Sequence, residues 1–137
     1  MNQQRIRDSF ARQGLMKTLG ATIDAIAEGR VILSAPLQPE TCQQHGFAHA
    51  GLTFALGDSA AGYSALTTMP EGAEVLTAEM KINLLAPADG IRLIATGEVM
   101  KPGRRLVVTR ATVDTEYDDG RRKTVAILQG TMVPVTG

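Results

Sequence analysis

The chain has 137 residues, 44% of them hydrophobic, with 14 basic and 14 acidic side chains and no net charge. This fits one domain over residues 1–137 built around a single core, and it excludes the broad basic footprint of a nucleic-acid binder. No apolar run approaches the ~20 residues of a membrane span, the polar opening MNQQRIRDSF lacks the apolar stretch of a secretion signal, and the lone Cys42 has no intrachain partner, so a cytoplasmic protein is expected.

In chain order, residues 3–13 read as an amphipathic helix with Ile6 and Phe10 one turn apart and Gly14 as its stop. LGATIDAIAEGRVILSAPL then reads as a hairpin. Leu19, Ala21, Ile23 and Ala25 share its inner face, Glu28-Gly29 makes the turn, and Val31, Leu33 and Ala35 return. Pro36 and Pro39 close it, and a loop over residues 37–47 leads into HAGLTFALGDSAAGYSALT, a helix over residues 49–67. VLTAEMKINLL alternates strictly, with Leu76, Ala78, Met80, Ile82 and Leu84 on one face and Thr77, Glu79, Lys81 and Asn83 on the other. IRLIATGEVM, RLVVTRATVDT and KTVAILQGTMV follow, separated by Ala88-Asp89-Gly90, Lys101-Pro102-Gly103 and Asp118-Asp119-Gly120, signals of antiparallel hairpins. The fold class is therefore α+β, with a curved antiparallel sheet of about six strands around one long central helix. Gly51, Ala55, Gly57, Ala60, Ala61 and Gly62 keep that helix slim enough to be wrapped closely.

Asp58 is the chemically distinctive residue. From Thr41 to Pro70 it is the only residue with a formal charge when the histidines are neutral, and it shares its helical face with Phe54, Ala61, Gly62 and Ala65. A carboxylate in such surroundings costs several kcal/mol unless it is paired, hydrogen-bonded or protonated. Combined with the donor groups of a helix N-terminus it has the parts for hydrolysis of an activated acyl group: one group to attack or activate water, and donors for the oxyanion.

The stretch GFAHAGLTFALGDSAAG resembles the motif G-x-x-H-G-G-x-x-x-x-L-x-D-x-A of the phenylacetate-degradation (PaaI) type of acyl-CoA thioesterases, which have the hotdog fold. Gly46, His49, Gly51, Leu56, Asp58 and Ala60 take its marked positions. VLTAEMKINLLAPADG and VMKPGRRLVVTRATV continue the similarity, which runs in order from about residue 15 to residue 134. The resemblance implies that Asp58 is the catalytic nucleophile or general base and that Gln43 stands where the family has an orienting Asn. Thr77 takes the place of a Ser or Thr near the nucleophilic water, and His49 with the amide of Ala50 polarises the thioester carbonyl. It also implies a dimer or tetramer with sites at the dimer interface, an acyl-CoA substrate, no separate cofactor and no metal. Gly46 and Gly51 would line the bound substrate, and Lys101, Arg104 and Arg105 would meet the phosphates of coenzyme A. Two positions depart from the pattern. Ala50 replaces a Gly, which preserves the amide donor provided that its φ is negative, and Gln43 replaces the Asn with the same amide one methylene further out.

The same residues have plainer readings. Asp58 would serve as an N-cap if a shorter helix began at Ser59. Cys42-x-x-His45-x-x-x-His49 has the spacing of zinc ligands, Cys42 with His45 is a conceivable nucleophilic pair, and Cys42 is otherwise a small hydrophobe. The Lys101–Arg105 turn would be a solvated hairpin, and Arg121, Arg122 and Lys123 form a second basic turn. A hotdog protein that binds an acyl or aromatic ligand without catalysis is the alternative function, and a hydratase lacks its usual motif here.

Overall fold

The computed structural model describes residues 1–136, with Gly137 outside the described residues. The chain opens with α1 (Gln3–Ala11) and α2 (Gly14–Thr18), so Gly14 does not simply end a helix: it starts a second, short one after a bend at Arg12 and Gln13. β1 (Thr22–Ala27) and β2 (Arg30–Pro36) form the expected hairpin, turning at Gly29, whose φ of +75° suits a residue without a Cβ. A 3₁₀ turn over Pro39–Thr41 and an irregular loop lead to α3 (Ala50–Leu66). Then come β3 (Ala73–Leu84), β4 (Arg92–Lys101), β5 (Val107–Glu116) and β6 (Arg122–Thr136).

The six strands make one antiparallel sheet in the order β1-β2-β4-β5-β6-β3, and α3 packs against β2 through β6. This is the hotdog arrangement. Leu52, Leu56, Ala60, Ala61 and Leu66 of α3 meet Val31, Leu33, Leu93, Val113, Leu128 and Met132 in a continuous core. The closest approach is at Gly97 of β4, where a Cβ would lie only 2.2 Å from the Ala60 carbonyl oxygen. The small residues of the helix therefore have a counterpart on the sheet that alternation alone did not mark.

Two bulges correct the predicted strand faces. In β1 the register shifts between Ile23 and Ala25, so Ile23 and Ile26 pack on the core opposite Leu33 and Val31, while Ala25 is exposed. In β3 it shifts between Thr77 and Glu79. The extra residue, Ala78, breaks the strict alternation: Val75, Met80 and Ile82 pack on the core, Thr77 turns toward α3, and Leu76 points away at 57% exposure.

The C-terminal end of α3 is anchored by the N-terminal segment. The Arg5 guanidinium donates to the carbonyls of Leu66, Met69 and Pro70, covering groups that a helix end leaves without intrahelical donors.

Candidate active site

Asp58 lies in the interior of α3, so it is not an N-cap. That role belongs to His49, whose Nδ1 accepts the Gly51 N–H at 2.7 Å. In the neutral ring this leaves the proton on Nε2. A Cβ at position 51 would sit 3.0 Å from that Nδ1, so the glycine makes room for the cap.

Thr77 Oγ1 lies 2.7 Å from Asp58 Oδ1 and 3.3 Å from the sulfur of Met132. A hydroxyl has one proton to donate, and the shorter, charge-assisted partner takes it. Among the described residues, the second oxygen, Oδ2, has no hydrogen-bond donor. Burial pushes the Asp58 carboxyl above its ordinary value, and the Thr77 hydrogen bond pulls part of the way back. The result is a half-buried carboxylate of raised basicity, oriented by one hydroxyl and facing a cleft of about 290 Å³ lined also by Ser59, Tyr63 and Val75.

Gln43, His49 and Ala50 come together around a separate hollow of about 550 Å³ at the N-terminal end of α3. The turn that carries Gln43 closes with Gly46, whose N–H donates to the Gln43 carbonyl and whose φ is +85°. The Gln43 side-chain oxygen accepts from the His45 N–H. Ala50 is the first residue of α3, and no residue other than glycine has positive φ, so the Gly-to-Ala departure puts no strain on the backbone. Its N–H has no acceptor among the described residues, whereas those of His49, Gly51 and Leu52 are all engaged.

Within one chain these two groups are apart. Ala50 and Asp58 are separated by more than two turns of α3, about 12 Å along the axis. Lys101, Arg104 and Arg105 lie elsewhere again, exposed in the β4–β5 turn, where Arg104 neighbours Thr68, Met69 and Pro70 beyond the C-terminal end of α3. Tyr63 lines the Asp58 cleft, whereas Met69 lies beside the β4–β5 turn. Ser9 and Gln13, which the sequence did not mark, also line the Asp58 cleft, delivered there by α1 and the bend after it. A further hollow of about 590 Å³ between Glu79, Lys81 and Arg110 contains none of the predicted site residues.

Comparison with known proteins bears on the fold and the family. Residues 45–120 match the family model described as thioesterase superfamily, a span of more than half the chain. A crystal structure of a thioesterase family protein from Silicibacter pomeroyi superposes with a TM-score of 0.96, at 47% identity over 98% of both chains. The PaaI protein of the E. coli phenylacetic acid degradation operon has the same fold, with a TM-score of 0.85 at 23% identity over 98% of this chain and 94% of that one. A 1,4-dihydroxy-2-naphthoyl-CoA hydrolase of Listeria monocytogenes is 24% identical over 105 residues, 77% of this chain and 85% of that protein. With the fold, the family match and the near-complete overlap in agreement, the chain belongs to the thioesterase superfamily and is a thioester hydrolase.

Proposed function

We propose that the protein hydrolyses acyl-CoA thioesters at a site shared by two protomers, in which Asp58 and Thr77 of one chain face Gln43, His49 and Ala50 of the other. The observation that carries this reading is the separation just described. A half-buried carboxylate and a free helix N-terminal N–H are complementary parts of one hydrolytic site, yet a single chain holds them too far apart to touch one thioester. β3 supplies a means of joining two chains. It is one of the sheet's two edge strands, 12 residues long, and it carries Leu76 and Leu84, each 57% exposed, a surface suited to pairing with a second copy. Its N-terminal half lies beside Asp58 and its C-terminal end lies beside His49, so antiparallel pairing with a second β3 would bring unlike ends together.

In this site Asp58 acts through Oδ2, either on the thioester carbon directly or by taking a proton from a water that attacks it. Thr77 holds the other oxygen. The oxyanion that develops accepts from the Ala50 N–H at the positive end of α3, and collapse of the tetrahedral species expels the thiolate of coenzyme A, leaving the free acid when water attacks, or an acyl-aspartyl anhydride that water then cleaves to the acid and Asp58 when the carboxylate attacks. Gln43 places the substrate or water. Gly46 and Gly51 shape the substrate-facing backbone around the helix start. Lys101, Arg104 and Arg105 suit the phosphates of coenzyme A because none has an ion-pair partner among the described residues. Arg121, Arg122 and Lys123, in contrast, pair with Asp119, Glu116 and Asp89.

The test is thiol release from a panel of acyl-CoAs, followed by mixing of two inactive variants, Asp58→Asn and Ala50→Pro. If sites are shared, each mixed dimer holds one intact site and activity returns on mixing. Variants that stay inactive together would refute the shared site, and no thiol release by wild type would refute the substrate class.

A further inference from the structure

The outer face of the sheet carries a group of side chains that neither the fold nor the hydrolytic site uses. Glu79, Lys81 and Asn83 of β3 point away from α3, because Met80 and Ile82 between them pack on the core. Strand register sets β6 and β5 beside them in rows. Lys81 lies opposite Gln129 and Gln129 opposite Arg110; in the next row Asn83, Ile127 and Thr112 are aligned in the same way. At ~4.8 Å per strand the Lys81 and Arg110 backbones stand about 10 Å apart with Gln129 between them. These residues bound the hollow of about 590 Å³ on this face.

Elsewhere on the outer face polar side chains are matched within the protein. Thr124 donates to Asp114, Arg92 and Arg122 both hold Glu116, and Thr131 donates to Glu79 at 2.8 Å. In the hollow they are not matched. Among the described residues Lys81 and Arg110 have no ion-pair partner, and the side chains of Asn83, Thr112 and Gln129 have no hydrogen-bond partner. Glu98 stands opposite Arg110 in β4 without pairing to it. Pairing of β3 with a second copy engages its backbone edge and leaves these outward side chains free.

Charge and shape select the ligand. Two cations against one carboxylate, Glu79, leave one unit of positive charge, which a monoanion balances; a dianion would place excess negative charge beside Glu79. The Arg110 guanidinium is a planar fork for both oxygens of a carboxylate, Lys81 adds a point charge, and the Gln129 amide donates between them. Ile127, 40% exposed in the adjoining row, offers apolar surface to the body of the ligand. We propose that this hollow is a second, non-catalytic ligand site for a carboxylate monoanion with a small apolar body. Hydrolysis of a thioester releases a carboxylate, so the product of the protein's own reaction falls in this class, whichever residues carry out the hydrolysis.

The experiment follows the amide chemical shifts of the full chain on titration with benzoate, hexanoate, acetate, benzyl alcohol and pyrophosphate, which locates each ligand and measures its affinity. Benzoate or hexanoate is expected to shift the amides of Arg110, Thr112, Ile127 and Gln129 saturably, with a Kd of about 1 mM. Acetate, without the apolar body, is expected to bind about 5-fold more weakly, and neutral benzyl alcohol not at all. Arg110→Gln and Lys81→Gln are each expected to weaken benzoate by at least ~5-fold while leaving molecular mass and thiol-release kinetics as in wild type, and Ile127→Ser to bring benzoate and acetate to about equal affinity. Shifts confined to residues around Asp58 and His49, or affinity that survives both charge variants, overturn the site. Acetate as tight as benzoate in wild type would show an adventitious ion only, and pyrophosphate tighter than benzoate would refute the monoanion. A lower molecular mass in the charge variants would assign the hollow to a second copy of the chain, and a fall in their kcat/KM would assign it to the substrate; either overturns a separate ligand site.

Discussion

Replacing Asp58 by Asn separates the chemical role of this carboxylate from its structural one. Asn has nearly the same shape, and its Oδ1 retains the Thr77 hydroxyl that lies 2.7 Å from the carboxylate. Only the charge and the proton-accepting oxygen are lost. Loss of a general base or nucleophile lowers kcat by at least ~100-fold, about 2.7 kcal/mol of transition-state stabilisation. The effect on stability has the opposite sign. Because burial raises the Asp58 pKa in the folded protein, ionisation penalises the native state increasingly as pH rises from the ordinary Asp value through the raised one, and the full penalty applies above it. Below the ordinary value the carboxyl is protonated in both folded and unfolded chains, and the penalty is absent. Asp58→Asn is therefore expected to melt above wild type at neutral pH, with the gain vanishing toward acid. Thiol-release kinetics and thermal unfolding measured across pH check both halves. Activity within a few-fold of wild type would remove Asp58 from the chemistry. A variant less stable than wild type at neutral pH would show that the native carboxylate is compensated rather than desolvated.

Ala50→Pro removes one N–H at the first helical position, where proline is well tolerated, and His49 before it already has the extended backbone that a proline requires (φ −62°, ψ 142°). A loss of about 10²–10³-fold in kcat with an unchanged melting temperature is expected in the same two assays; retained activity would show that this N–H is not the oxyanion donor. Thr77→Val keeps the side-chain shape and removes the hydrogen bond that lowers the Asp58 pKa, so the acid limb of the pH–rate profile moves to higher pH; an unmoved limb would mean that Thr77 does not stabilise the reacting carboxylate. Gly97→Ala drives a Cβ to 2.2 Å from the Ala60 carbonyl oxygen, a backbone atom that moves only if α3 does. A cost of about 1–3 kcal/mol and a fall of about 4–12 °C in melting temperature are expected by thermal unfolding, and an unchanged melting temperature would contradict the close packing of β4 on α3.

Much of this protein was legible without coordinates, and the reasons are local. The central helix follows from an uninterrupted run of small and apolar residues bounded by His49 and Pro70, and the strands follow from alternation punctuated by Asp-Gly and Pro-Gly turns. Asp58 is conspicuous because it is alone. The sequence could not place Thr77, because a one-residue bulge reverses the strand face and leaves no mark in an alternating pattern; only pairing of β3 with β6 brings Thr77 within reach of Asp58. Nor could it show that Ser9 and Gln13 reach the cleft of Tyr63, or that Arg5 caps a helix so distant in the chain, since these contacts depend on where α1 settles after the sheet has closed around α3. Chemical identity and local periodicity are properties of the chain itself. Register, and the meeting of residues remote in sequence, are decided by packing in three dimensions.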